Sequence, residues 1–377
     1  MRIPLSARLP ARSFSTGAPR FTAKIPTPTC APVPNRTVLA LTGSETRSFL
    51  NGIISTAIPA HGGFYSAFLS PQGRVFYGVF FHPHPTEPNG FLVEYDSRQP
   101  LSTSSTPVPP LVNLLKRFIL RAKVRVRSVG EEWDVWSAWG GKELVEPSWK
   151  WARSGAVEPI WADLESHAGK EGIADLRAPG MGRRILVRKG DPPQASSTHD
   201  VAPASSYVLH RILSGVPEGI DDIPPGDAFP MDSNLDMMGG VDFRKGCYVG
   251  QELTVRTYHT GVIRKRIMPV RLSGAPPLPA LHAPINAVAL LSPSSSTESP
   301  APRRPRPRGT GKLLTTIEHD GGAVGLALMR LEHVEGVERG QLRMEIGSLE
   351  GQGPWGVECL KPTWWPALVD EEGGNQS

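Results

Sequence analysis

Cys247 stands in a setting that could activate a thiol. It follows Arg244, Lys245 and Gly246 and precedes Tyr248, Gly250, Gln251 and Glu252. Two cations within three residues would favour a thiolate, as would the N-terminus of a helix starting near Val249. Such settings lower a cysteine pKa from ~8.5 by one or more units. Gly246 and Gly250 would let the backbone turn tightly or approach a ligand closely. Glu252 and Arg256 are spaced four apart in the order that stabilises a helix surface. On residue types alone the role of Cys247 stays open between a reactive thiol and a small buried hydrophobe, the commoner case. The other cysteines, Cys30 and Cys359, lie far away. An odd number at wide separation excludes a disulfide scaffold and any CxxC-type zinc or cluster spacing.

A chain of 377 residues, 39% hydrophobic and 20% charged, must position that segment. Its length suits two or three domains. Gly and Pro number 39 each, which predicts ordered domains carrying long Pro-rich loops. No apolar run approaches the ~18–20 residues that cross a bilayer as a helix, so no membrane span is expected. The net charge of +5 is unevenly placed: no acid precedes Glu45, while Arg2, Arg8, Arg12, Arg20 and Lys24 alternate with serines and phenylalanines. That pattern reads as a mitochondrial or plastid transit peptide, here bounded at residues 1–34 with its linker. Removing the five cations leaves a chain near neutrality, poor ground for nucleic-acid binding, and no GxxxxGK[ST] phosphate loop is present.

Pro/Ser-rich stretches near 82–110, 191–206 and 292–309 read as surface inserts. Between them strands and helices alternate. A helix is expected over Ser44–Ser55 with Ser44 as N-cap, and a hairpin of Phe64–Leu69 with Arg74–Phe81 around Ser70-Pro71-Gln72-Gly73. Leu111, Leu114, Leu115, Phe118 and Ile119 mark one buried helix face. Lys123–Val129 alternates charge with valine as a half-buried strand. Tyr207–Gly215 reads as a helix, and Val262–Leu272 and Ala323–Leu331 as strands. The fold class is α+β: a body over 35–257, then a β-rich domain over 258–366 with a tail at 367–377. Six of the nine tryptophans fall between Trp133 and Trp161, and large aromatics of this kind usually pack.

The octapeptide Lys245-Gly246-Cys247-Tyr248-Val249-Gly250-Gln251-Glu252 resembles the KGCYxGQE motif of the YgfZ-type folate-binding proteins. That family includes mitochondrial factors for the maturation of four-iron four-sulfur proteins. Further elements resemble the family in order. They are Leu41-Thr42-Gly43 with Phe49-Leu50-Asn51-Gly52, Ser70-Pro71-Gln72-Gly73-Arg74, Arg117 to Val126, Asp175-Leu176-Arg177, Gly182-Arg183-Arg184, Arg211 to Glu218, and Gly325 to Arg330. The likeness covers about residues 37–335. It implies the fold of the glycine-cleavage T-protein, a folate-binding body around a central channel, followed by a small C-terminal β-barrel.

The same resemblance supplies two competing expectations. One is a folate-dependent aminomethyltransferase. The other is an assembly factor of the mitochondrial matrix for four-iron four-sulfur proteins, with tetrahydrofolate as cofactor. Its partners would be A-type scaffold proteins and recipient apoproteins. Two departures from the T-protein pattern favour the second: Tyr77-Gly78 stand where its Asp-Asp pair falls, and Thr56-Ala57 where its Asn-Asp falls. Neither pair supplies the carboxylate that acid–base help requires, worth ~10²–10⁴ in rate. Cys247 could ligate iron or sulfur transiently, attack a one-carbon adduct or sense redox state. With the N-terminal segment removed, Cys247 and Cys359 would be the remaining thiols. Four-cysteine ligation is the norm for such clusters, so no stably bound metal or cluster is expected. Arg256, His259, Arg264, Lys265 and Arg266 could meet an anion such as a folate glutamate tail, or could be a solvated strand edge.

Overall fold

The computed structural model describes residues 27–99, 107–140, 147–161, 171–290, 309–347 and 354–366. The segment expected as a transit peptide up to Lys24, the Pro/Ser-rich stretch 292–308 and the tail from 367 lie outside them. The chain opens with β1 (Thr29–Pro32), β2 (Arg36–Thr42), α1 (Thr46–Asn51), β3 (Phe64–Leu69), β4 (Val75–Pro83), β5 (Phe91–Asp96), α2 (Leu111–Ile119), β6 (Arg125–Ser128) and β7 (Trp133–Trp139). β8 (Ser148–Trp151), β9 (Val157–Ile160), β10 (Ile173–Ala174), β11 (Arg183–Arg188), β12 (Asp200–Val201), α3 (Ala204–Leu213), α4 (Gly219–Asp222) and α5 (Gln251–Thr260) complete the body.

Two five-stranded sheets make that body, ordered β3-β4-β5-β2-β6 and β10-β11-β7-β1-β12. Period-2 alternation along β2 shows how they pack. Val38 and Ala40 join the core shared with Val135, Trp139 and Tyr207, whereas Leu39 and Leu41 face Leu50 of α1 and Leu111, Leu114 and Leu115 of α2. Both faces of the first sheet are therefore covered, and the helices lie on its outer side. The last third closes as a six-stranded barrel in the order β13-β16-β15-β14-β17-β18. Its strands are β13 (Lys265–Ser273), β14 (Pro284–Ala289), β15 (Gly311–His319), β16 (Gly322–Arg330), β17 (Leu342–Ile346) and β18 (Trp355–Cys359), with α6 (Leu331–Glu338) after β16.

Four features depart from the sequence reading. The stretch 82–110 holds a central strand: β5 sits in the middle of its sheet, with all but Tyr95 of its residues buried. Prolines on both sides mask its alternation of Phe91, Val93 and Tyr95. The stretch 191–206 likewise contains β12, parallel to β1, and the start of α3. β1 itself lies upstream of residue 35 and between β7 and β12, so ordered structure begins before that boundary and Cys30 is a fully buried strand residue. Helix α1 is also shorter than expected, with Glu45 and not Ser44 at its N-cap and no side-chain cap.

Candidate functional site

The segment Asp242–Gly250 leaves the body as a loop pinned on both flanks. Upstream, the Asp242 amide donates to the Ser55 carbonyl at 2.9 Å, and its carboxylate accepts from the Arg244 and Lys245 amides at 2.8 and 3.2 Å. The Lys245 ammonium enters the end of α1, where the carbonyls of Asn51, Ile54 and Thr56 accept at 2.8, 2.7 and 3.1 Å. Burial pulls this lysine down to about 8, yet three converging acceptors require the charged form. Downstream, the Val249 amide donates to the Gly52 carbonyl at 3.2 Å, and the Tyr248 amide to Gln251 Oε1 at 3.3 Å. Between these anchors Gly246 and Cys247 project into solvent.

The two glycines of the octapeptide differ. Gly250 has φ of +83°, and a Cβ there would stand 2.4 Å from the Ser70 carbonyl oxygen. Gly73 of the Ser70–Gly73 turn, φ +78°, would bring its own Cβ to 2.6 Å from that of Leu253. Loop and turn are thus interlocked backbone to backbone at positions that only glycine fits. A Cβ on Gly246 would meet no protein atom within 4 Å, so packing within the chain does not require glycine there.

The two cations expected to face the thiol are directed elsewhere. Arg244 reaches Glu158 of β9 at 3.2 Å, and Lys245 is held by the α1 carbonyls. Glu158 also accepts from the Tyr258 hydroxyl at 2.7 Å, and the Tyr258 ring stacks on Phe243 with centroids 4.1 Å apart. Glu158 of the β8–β9 hairpin therefore braces the loop directly through Arg244 and, by way of Tyr258 of α5, through Phe243, contacts that no sequence pattern announced. Cys30 is fully buried, and burial pushes its thiol up; burial also pushes the half-buried Cys359 up to about 12.

The proposed anion contacts separate. Arg256, His259 and Arg264 are exposed, Lys265 is half-buried, and Arg256 forms no ion pair with Glu252. Arg266 is not available: it is 4% exposed, and its guanidinium binds Asp236 at 2.8 Å and the carbonyls of Met231 and Gly155 at 2.9 and 3.0 Å. Asp236 in turn accepts from the Val157 amide at 3.0 Å. This arginine clasps the barrel strand β13 to the body, because a cation so enclosed must be paired.

Between the two sheets lies a closed set of charges. Glu94 of β5 accepts from Arg36 at 2.6 Å, is hydrogen-bonded to His82 at 3.3 Å, and forms an ion pair with Arg184 at 3.2 Å. Glu218 accepts from Arg177 and the Tyr207 hydroxyl, both at 2.8 Å, and from Arg184. Arg177 is doubly paired with Asp175 at 2.7 and 2.8 Å, and both arginine heads lie 4.7 Å from the Phe80 ring centre. Burial pushes the Glu94 carboxyl up, but Arg184 and Arg36 outweigh it and hold the group at about 2; Arg184 and Arg177 likewise outweigh burial at Glu218 and hold it well below the usual carboxylate range. A cavity of about 20 Å³ borders this set at Arg36, Tyr65, Tyr77, Arg177 and Glu218, the room of roughly one water. The acceptors that could take a pterin are thus spent on arginines, and the space beside them does not fit one as arranged.

The positions that distinguish a T-protein are also filled. Tyr77 is buried and donates its hydroxyl to the Pro109 carbonyl at 2.8 Å, with its pKa raised by burial. A Cβ on Gly78 would stand 2.6 Å from the Tyr65 hydroxyl. Thr56 donates to Ser66 at 2.8 Å, and Ala57 faces solvent. No carboxylate stands at either place.

Two interlocked sheets with a closed barrel behind them define a T-protein-fold chain. The glycine cleavage system aminomethyltransferase T of Bartonella henselae superposes with a TM-score of 0.54 over 88% of this chain and 85% of that one, at 12% identity, a likeness of fold. The family model for the C-terminal β-barrel domain of CAF17 matches residues 264–367. A protein of Cryptococcus neoformans var. neoformans described as "Iron-sulfur cluster assembly factor IBA57 homolog, mitochondrial" is 40% identical over 337 residues, 82% of this chain and 85% of its own. A Mycosarcoma maydis protein of the same description is 32% identical over 371 residues, covering 89% and 84%. The chain belongs to the IBA57 family of mitochondrial iron–sulfur cluster assembly factors.

Proposed function

We propose that the chain serves late maturation of four-iron four-sulfur proteins in the mitochondrial matrix, with Cys247 as its one ligand to a cluster in transit. The observation that carries this is the presentation of the thiols. Cys247 projects from a loop fixed on both flanks, whereas Cys30 and Cys359 are enclosed in strands. A pinned tip holds a soft ligand in place without local reorganisation, and thiolates are the usual ligands of such clusters. Among the described residues no three His, Cys, Asp or Glu side chains gather as a metal site. The cluster is cargo here, and a partner's thiolates complete its coordination. Scaffold proteins of the A-type and recipient apoproteins are the partners this reading requires. Folate enters no step of it.

The test is mitochondrial aconitase activity in null cells, and in null cells carrying either the wild-type or the Cys247→Ala form. Aconitase holds a four-iron cluster and no lipoate, so it separates cluster assembly from glycine cleavage, which falls indirectly when lipoate is lost. The reading expects activity to collapse in the null and return only with wild type. Restoration by the alanine form would reduce Cys247 to a structural role. Normal aconitase in null cells that lack glycine cleavage would overturn the reading in favour of aminomethyl transfer.

A further inference from the structure

The end of α2 and the strand that follows carry a surface that the cluster-handling site does not use. Leu120 is 89% exposed and Phe118 36% exposed. Around them Lys116, Arg117, Arg121 and Arg125 all point to solvent, and none makes an ion pair or side-chain hydrogen bond among the described residues. The acids nearby are few. Glu45 is tied to the Lys123 amide, and Glu132 to Arg127 and Arg188. β6 is the edge strand of its sheet, so the patch lies on a free rim of the body.

Leu120 is the informative residue. It caps α2 with φ of +36° and ψ of −96°, a positive-φ state outside the left-handed helical well that glycine can enter and a bulky side chain does not. The fold thus holds a leucine in a strained position and gains no burial from it. Phe118 continues the buried stripe of Leu111, Leu114 and Leu115 but emerges at its end. Exposed apolar side chains inside a ring of unpaired cations match the anatomy of an interfacial membrane contact: apolar groups enter the acyl boundary while the cations meet anionic headgroups. A single-stranded nucleic acid would be met by several aromatic stacking platforms, whereas here one aromatic, Phe118, stands beside a leucine that cannot stack.

We infer that this rim docks the protein onto an anionic lipid bilayer, with Leu120 and Phe118 as the inserted groups. The experiment is co-sedimentation of the full-length chain with phosphatidylcholine vesicles, with and without phosphatidylglycerol. Three forms are compared: wild type, Leu120→Gly, and Arg117→Ser/Arg121→Ser. The N-terminal cations are common to all three, so differences report on the rim. Wild type should bind only the anionic vesicles. The double variant should bind about 25-fold more weakly, from about fivefold per cation. Leu120→Gly should melt at the same or a higher temperature, because the strain is relieved, and yet bind at least fivefold more weakly. Loss of binding in the arginine variant with full binding by Leu120→Gly would overturn the inference in favour of an acidic macromolecule. Equal binding by all three forms would overturn it outright.

Discussion

Replacing either glycine of the octapeptide by alanine should give opposite results. At Gly250 an alanine must hold φ near +83° and place its Cβ 2.4 Å from the Ser70 carbonyl oxygen and 2.8 Å from Leu69 Cβ. The left-handed backbone costs ~1–2 kcal/mol, and overpacking against backbone adds ~1–3 kcal/mol. The entropy removed from the unfolded chain returns ~0.4–1 kcal/mol. The net loss is about 3 kcal/mol, which lowers a urea midpoint by about 1 M for an m-value near 3 kcal/mol/M. At Gly246, where φ is not positive and the space is open, alanine should change stability by less than ~0.5 kcal/mol. Urea unfolding followed by tryptophan fluorescence reads both, since Trp133, Trp136 and Trp139 all lie in β7 of the body. A Gly250→Ala chain as stable as wild type, or a Gly246→Ala chain equally damaged, would refute the interlock of loop and turn.

Three further outcomes follow from the same geometry. Under native conditions iodoacetamide should modify Cys247 alone, with Cys30 and Cys359 reacting only after denaturation; mass spectrometry of the digested protein decides it. Gly78→Asp should fail to confer aminomethyl transfer and should destabilise the body, and Tyr65→Ala in the same chain should recover part of the loss. A double-mutant cycle without coupling would remove the steric argument. Glu94, held at about 2 in the fold and titrating near ~4.3 when unfolded, stabilises the protein above about pH 4.3. That contribution, of order 3 kcal/mol, is lost as pH falls towards 2. Glu94→Gln should weaken this acid dependence while costing ~3 kcal/mol or more at neutral pH, because Arg36 and Arg184 lose a counter-charge; an unchanged acid limb would count against the network.

Much of the scaffold was legible because burial on one face writes a period into the chain. The helix at Leu111, the hairpin around Ser70–Gly73 and the barrel strands at Lys265 and Gly322 lie within a few residues of where periodicity puts them. β5 was missed because its alternation is framed by prolines, which weight a composition window more than six strand residues can. Arg266 was misread for a different reason. Three consecutive cations look like a solvated edge, and only Asp236, thirty residues away and folded against it, makes the last of them an interior residue. The octapeptide marked where the proposed cluster-ligating thiol lies. That Cys247 is exposed, and that its flanking cations serve Glu158 and the α1 carbonyls, depends on long-range contacts that spacing does not encode.

The place of β1 in the second sheet has a consequence for how the chain matures. Thr29 and Cys30 pair with Trp139 and Ala138 on one side and with Asp200 and Val201 on the other. The first strand among the described residues therefore has both of its neighbours encoded far downstream, and such long-range pairing is slow to form. Until residues 195–201 have emerged the sheet lacks its edge strand β12, and the Cys30 side chain lacks the cover of Ala195, which packs on it with Ala138, Ile185 and Val187. A thiol that is inert in the finished protein is thus a chemical clock for its completion: oxidised or alkylated Cys30 marks molecules caught before the sheet closed.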